Sequence, residues 1–235
     1  VEAARKIVEL VKDEVRPLSR IGRASFENAI RYVMATGGST NSILHIPAVA
    51  AQAGISITPD MFDEISRKTP LISAIYPNHP SYTMADFSAA GGLSTVIREL
   101  AKAGAWDTST AGMFDTMQEK IAKAHDSAHD VIRSVQNAIS PEGGIAVLHG
   151  NLGTQSAVLK FSAVDPSVHS FRGRARVYDS QDESWNAMLR DEIKAGDVVV
   201  IRYEGPKGAP GMPHLETFMA AVLGKGLGTK IALIT

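Results

Sequence analysis

Apolar side chains recur at helical spacing through the first half of the chain and in short β-branched runs through the second. Between Glu2 and Val15, Ile7, Val8, Leu10, Val11 and Val15 share one helical face. Ser25 to Thr36 repeats the signal with Ala29, Ile30, Val33 and Met34, and Ser25 stands as its N-cap. Gly37-Gly38-Ser39-Thr40-Asn41 interrupts the pattern, after which an apolar helix is predicted from about Ser42 to Ala53 and stopped by Gly54. Thr58-Pro59-Asp60 opens the next helix, with Thr58 as N-cap and Pro59 at its first position. Pro70 to Ile75 predicts a short strand and Pro77 to Pro80 a turn. Thr83 to Phe87 and Leu93 to Lys102 predict helices on either side of Gly91-Gly92. Residues 105–140 are polar and mixed, with a helix expected from about Asp115 to Ala128, and read as a connection.

After Pro141 the texture changes. Ile145 to Leu148, Ala157 to Phe161, Ala175 to Tyr178 and Val198 to Tyr203 are β-rich runs separated by Gly, Pro and Asp. A helix is expected from about Ser180 to Arg190 and another over Met219 to Leu223. The closing run Lys230 to Thr235 reads as a buried strand. The pattern predicts an α/β protein whose second part is a β-barrel or sandwich with one or two helices. A start inside a helical pattern at Val1, without Met, and a stop in an apolar strand read as a piece of a longer chain.

Composition narrows the function classes. A net charge of -1 with no basic block gives no electrostatic footprint for nucleic acid. The longest apolar runs, such as Val198 to Ile201, are too short to cross a bilayer, and no signal-peptide or lipidation pattern is visible. The absence of cysteine excludes disulfides, thiolate nucleophiles and Cys-ligated zinc or iron–sulfur sites from this chain. It leaves the redox compartment unread, with the cytoplasm as default.

Few side chains point to chemistry by themselves. The Gly37 to Asn41 turn between two apolar helices either aims backbone N–H groups at an anion or is a helix break capped by Ser39 or Thr40. Arg202-Tyr-Glu-Gly-Pro-Lys-Gly-Ala-Pro-Gly-Met-Pro213 follows a strong strand and packs Gly and Pro around Glu204, Lys207 and His214, so it reads as a functional loop ahead of the alternative, a structural loop whose charges face water. His125 and His129 stand at i and i+4, a metal-capable spacing that also suits a solvated helix face. His45 and His149 read as core histidines, His79 is uninformative, and Asp179, Asp182 and Glu183 read as helix-capping residues. No Ser-His-Asp arrangement or phosphate loop appears.

Several segments in order nevertheless resemble a known family. They are Phe26-Glu-Asn-Ala-Ile30, Met34-Ala-Thr-Gly-Gly-Ser-Thr-Asn-Ser-Ile-Leu-His45, Thr69-Pro-Leu71, Tyr82-Thr-Met-Ala-Asp86 and Ala90-Gly-Gly92. Gly143 to Leu152, Phe171 to Asp179 and Gly196 to Gly208 continue the series. Together they resemble the dihydroxy-acid and sugar-acid dehydratases, and Arg202-Tyr-Glu-Gly-Pro-Lys-Gly208 is more similar to the dihydroxy-acid branch.

The resemblance implies an α/β N-terminal domain followed by a swivelling β-barrel domain. Residues 1–104 would end the first domain, 105–140 would link, and 141–235 would form a barrel incomplete at its C-terminal end. It implies elimination of water from a 2,3-dihydroxy carboxylic acid to an enol and then a 2-keto acid, in branched-chain amino acid biosynthesis. In such enzymes an iron–sulfur cluster acts as Lewis acid on the leaving hydroxyl, Mg²⁺ holds the carboxylate and 2-hydroxyl, and a serine takes the C2 proton. Gly38, Ser39, Thr40, Asn41 and Lys207 are the implied substrate-binding residues. The cluster cysteines and most magnesium ligands would precede Val1, and the catalytic serine would follow Thr235.

His214 stands where the family has a magnesium-binding glutamate, a poor exchange for a hard cation, with Glu216 two residues on. The implied protein is a cytoplasmic homodimer, or organellar in a eukaryote, acting on a small dihydroxy acid. This chain alone is expected to be inactive. A sugar-acid (aldonate) dehydratase and a non-catalytic interaction module are the competing readings, His214 favouring the latter.

Overall fold

The computed structural model describes residues 2–76, 78–110, 112, 116–124, 130–205, 207 and 215–235. Its internal packing divides the chain into two units, residues 1–163 and 164–235. The class is mixed helix and sheet, as the alternation of patterns predicts.

In the first unit, α1 (Glu2–Lys12) stops short of the expected Val15 because Glu14 adopts φ 51° and Val15 N–H turns back to Leu10 O. The next helix, α2 (Arg23–Ala35), is the spine. It starts at Gly22 rather than at Ser25, whose Oγ instead accepts the Gly22 N–H at 3.3 Å. Phe26, Ile30 and Met34 recur every four residues on α2 and bury one stripe against Ile43 and Ala50 of α3 (Ser42–Gln52) and Phe62 of α4 (Pro59–Arg67). Ile145 and Val147, at the start of the 146–159 hairpin, complete this core. Each such side chain contributes about 1.5–3 kcal/mol when fully buried.

Ala35 turns the other way, into a second core with Ile72, Val131, Ile132, Phe87 of α5 (Met84–Ala89) and Val96 and Leu100 of α6 (Gly92–Lys102). The expected strand at Pro70 to Ile75 is only two single-residue bridges, Leu71 with Ser140 and Ser73 with Ile132. The Ile72 and Ser73 N–H groups both donate to Ala35 O at the end of α2, which removes the donors a continuing ladder would need. The helix expected near Asp115 to Ala128 is α7 (Met117–Lys123) among the described residues.

Caps at α5 and α7 carry a pH dependence. Thr83 and Asp86, and Thr116 and Glu119, exchange reciprocal bonds of the capping-box kind. Hydrogen bonds from the threonine hydroxyl and N–H hold Asp86 below the ordinary carboxylate range, and the same donors hold Glu119 below its own. A depressed folded-state pKa gives stability that is present above the unfolded value and lost as pH falls through the folded value. Asp86→Asn combined with Glu119→Gln should therefore lower the melting temperature at neutral pH and flatten its fall on the acid side. Melting curves of both proteins across that range check this, and parallel acid limbs would contradict it.

A hairpin closes the first unit, β1 (Ala146–Leu148) antiparallel to β2 (Ala157–Leu159). In the second unit the strands are parallel: β3 (Arg174–Tyr178), β4 (Asp197–Ile201) and β5 (Ala232–Ile234), with β4 central. Parallel neighbours need long crossovers. Here α8 (Gln181–Leu189) and α9 (Leu215–Gly224) occupy those connections. Ala187, Met188, Phe218 and Val222 from these helices pack on Val199 and Ile201 of β4, whose residues alternate between buried and half-buried. The described residues thus form open sheets rather than a closed barrel or sandwich. The expected buried strand at the chain's end is β5, a half-buried edge with Ile234 exposed. No helix among the described residues is long and apolar enough to cross a membrane.

Candidate functional site

The end of α2 builds the site. Thr36 closes the helix, Gly37 follows at φ 59°, and Gly38 N–H reaches back to Val33 O at 2.9 Å. This is a Schellman termination, which a left-handed glycine adopts without the strain of a Cβ. The chain then enters α3 through a turn that satisfies itself. Ser39 Oγ accepts the Asn41 N–H at 3.2 Å, Ser39 O accepts from Ser42 N and Oγ, and Thr40 O accepts from Ile43 N.

Gly37, Gly38 and Ser39 line a cleft of about 280 Å³, together with Tyr32, Ser73, Asn78 and Lys160. Asn78 Nδ2 donates to Gly37 O at 3.2 Å and fixes the loop's height over the cleft. Behind the loop, Gly143 N–H donates to Ser66 O and Gly144 N–H to Met34 O, so the approach to β1 runs directly against α2. A Cβ on Gly144 would lie 2.6 Å from Gly37 Cα, so these two backbones touch with no room for a side chain. Ser162, whose N–H donates to Gly144 O, places a buried Oγ beside the same two glycines without a hydrogen-bond partner.

Lys160 lies between β2 and the short helical turn Phe161–Ala163. It is half-buried, and its ammonium pairs with no carboxylate among the described residues. Burial alone pulls its pKa below the ordinary lysine value. An ammonium and a carboxylate about 4 Å apart gain about 1 kcal/mol in bulk water and about 4 kcal/mol at an effective dielectric near 20. Half-burial therefore turns a lone lysine into a useful anion partner. Tyr32 on the same cleft is pushed above its ordinary pKa by burial and stays a neutral hydroxyl. A second cleft, of about 400 Å³, is lined by Arg23, Glu27 and Arg31, where both guanidiniums are already paired with Glu27. Lys68 lines it too, with Glu64 and Glu27 on the same cleft, so carboxylates as well as cations face the space.

Of the residues singled out from sequence, Gly38 and Ser39 line the Lys160 cleft, while Thr40 and Asn41 continue past it into α3. Lys207 is exposed in the second unit, and His214 lies outside the described residues, as do His125 and His129. The rest of the loop after β4 is clearer. Arg202 Nε donates to Asp179 Oδ1 at 2.7 Å, and its guanidinium lies over the Tyr203 ring. Glu204 accepts the Gln181 N–H at 2.7 Å, beside Ser180 Oγ, which accepts from Glu183 N. Glu204 is thereby a helix cap rather than a free acid, and Asp179 is an ion-pair partner more than a cap. His45 and His149 are exposed, not core; His149 meets Asp60 at 3.2 Å. Sequence reasoning missed Tyr32, Ser73, Asn78 and Lys160. The Pro-Asn-His-Pro turn beside the glycine motif was the only signal for Asn78, and Lys160 had none.

Comparison with known proteins agrees with this chain from end to end. Residues 1–120 match the family model for the dihydroxy-acid/6-phosphogluconate dehydratase N-terminal region, and residues 130–235 match its C-terminal counterpart. Proteins named dihydroxy-acid dehydratase from Archaeoglobus fulgidus, Acetivibrio thermocellus and a Hydrogenobaculum species are 44%, 43% and 40% identical over the whole chain. The chain spans 42% of the length of each. On this ground the chain belongs to the dihydroxy-acid/6-phosphogluconate dehydratase family.

Proposed function

We propose that the protein serves a hydro-lyase that converts 2,3-dihydroxy carboxylic acids to 2-keto acids, in branched-chain amino acid synthesis. The observation that carries this reading is the whole-chain match to proteins named dihydroxy-acid dehydratase. The chemistry removes the C2 proton and the C3 hydroxide, leaving an enol that tautomerises to the ketone. The substrate's permanent feature is its carboxylate, and the share of the work that fits this chain is to help hold that group by pairing with its charge. The Gly37–Ser39 loop and its cleft are the place for it.

An iron–sulfur cluster and Mg²⁺ belong to this proposal for the complete enzyme, but the residues here do not fit either group. The 235 residues contain no cysteine, and among the described residues no three His, Cys, Asp or Glu side chains converge to hold a metal. No step is assigned to them from this chain. We take residues 1–104 as the end of an α/β domain, 105–140 as a linker and 141–235 as part of a swivelling barrel in a homodimer. The open edges of the β3–β4–β5 sheet, where further strands can pair, support the barrel.

Full-length protein carrying this sequence, supplied with 2,3-dihydroxyisovalerate, should form a 2-keto acid detectable as its hydrazone. The 235-residue chain alone should form none. A full-length protein that dehydrates only aldonic acids, or nothing, would replace this reading with one of its competitors.

A further inference from the structure

Lys160 has no role in the fold that explains its place. It carries a charge into a half-buried position, faces no carboxylate among the described residues, and borders a cleft that Gly37 and Gly38 also line. A lysine that only needed solvent would extend away from such a cleft. The remaining lining adds donors of the kind a small oxyanion uses, the Ser39 hydroxyl and a neutral Tyr32 phenol, and no acidic side chain, while the Ser73 hydroxyl already donates to Val131 O. Apolar Ile75, Met84 and Phe87 are part of the lining, which suits a ligand with a short carbon skeleton over a bare inorganic ion.

We propose that Lys160 is an anion-anchoring residue, and that the cleft beside Gly37–Ser39 binds the carboxylate of a small hydroxy acid. The assignment of this carboxylate to the substrate rests on the dehydratase reading above; the binding of a carboxylate at Lys160 does not. The charge supplies affinity, and the glycine loop lets the ligand approach the backbone closely. Burial acts in the same direction, since a desolvated ammonium without a partner gains most from acquiring one.

The test is a titration of the ¹⁵N-labelled 235-residue chain with glycerate, the simplest 2,3-dihydroxy acid, with inorganic phosphate and sodium chloride as parallel arms at matched ionic strength. Glycerate should move the Gly37, Gly38 and Ser39 amide signals saturably. Lys160→Met should weaken that binding at least tenfold, and Lys160→Arg should largely keep it. Lys160→Met should not lower the melting temperature, because it removes a poorly solvated charge, so lost binding cannot be mistaken for lost fold. No saturable shift with glycerate, an unchanged affinity in Lys160→Met, or saturation by phosphate alone would each overturn the proposal. Glycerate binding that depends on Lys160 in a protein whose full-length form dehydrates nothing would instead sink the dehydratase reading and leave this site standing.

Discussion

Gly144→Ala is expected to destabilise the first unit by on the order of 3 kcal/mol, a large share of a domain's typical 5–15 kcal/mol. The added methyl would sit 2.6 Å from Gly37 Cα and 3.0 Å from Ser162 Oγ. The serine can rotate, but the Gly37 backbone cannot retreat. It is held by the helix termination at Gly38 and by the Asn78 amide on its carbonyl. Relief must come from the 143–145 segment, which would pull Gly144 N–H off Met34 O and loosen Ile145 in the first core. Gly150→Ala is the matched control, because no atom stands within 4 Å of its added carbon, and it should change stability by less than about 0.5 kcal/mol. Trp106, packed on the second core of this unit, reports the unfolding by fluorescence once Trp185 is replaced by phenylalanine. Equal denaturant midpoints for the two alanine variants would show that the glycine–glycine contact is not needed. Because Gly37 also forms the cleft, Gly144→Ala should weaken glycerate binding in whatever fraction remains folded.

A still closer contact sits at the start of β3. A Cβ on Gly173 would lie 2.1 Å from Gly196 O, the carbonyl that accepts the Arg174 N–H and so sets the β3–β4 register. Gly196 itself is at φ 90° and donates its own N–H to Lys230 O at 2.7 Å, ahead of β5. Moving that carbonyl disturbs both edges of the sheet together. Gly173→Ala should cost roughly 3–4 kcal/mol, the sum of overpacking and a broken ladder bond. Trp185 fluorescence in a Trp106→Phe background measures it, since Trp185 packs against the core of this unit. Gly224→Ala, at the open end of α9, should instead be neutral or stabilise by up to about 1 kcal/mol. A Gly173→Ala protein as stable as its parent would mean that the two strands begin in another register.

The sequence made helices legible and pairing illegible. The stripe Phe26, Ile30, Met34 announces α2, and the same residues fill its core. Val198 to Ile201 announces β4, and its continuous apolar run suits a parallel strand, but the run does not say which strands it pairs with. The parallel order rests on where α8 and α9 return the chain. Ser73 reads as strand by composition, yet Ala35 O, 38 positions earlier, claims its N–H. His45 and His149 sit among apolar neighbours in sequence and at the surface in space, because neighbours along a helix or turn point different ways. At the site, the Gly37–Asn41 motif was conspicuous. Lys160 was not, since one cation after a short apolar run carries no signature until the fold brings it to the Gly37–Ser39 turn, more than a hundred positions away.

That distance also sets a timetable for the nascent polypeptide. The core on α2 stays incomplete until Ile145 and Val147 arrive, and Gly37 has no backing until Gly144 is made. At ribosomal speeds of about 5–20 residues per second, the stripe of Phe26, Ile30 and Met34 waits on the order of 5–20 s for its last partners. Through that interval the stripe has Ile43, Ala50 and Phe62 but lacks its last cover, and the partly bare apolar flank is a substrate for the chaperones that attend translation.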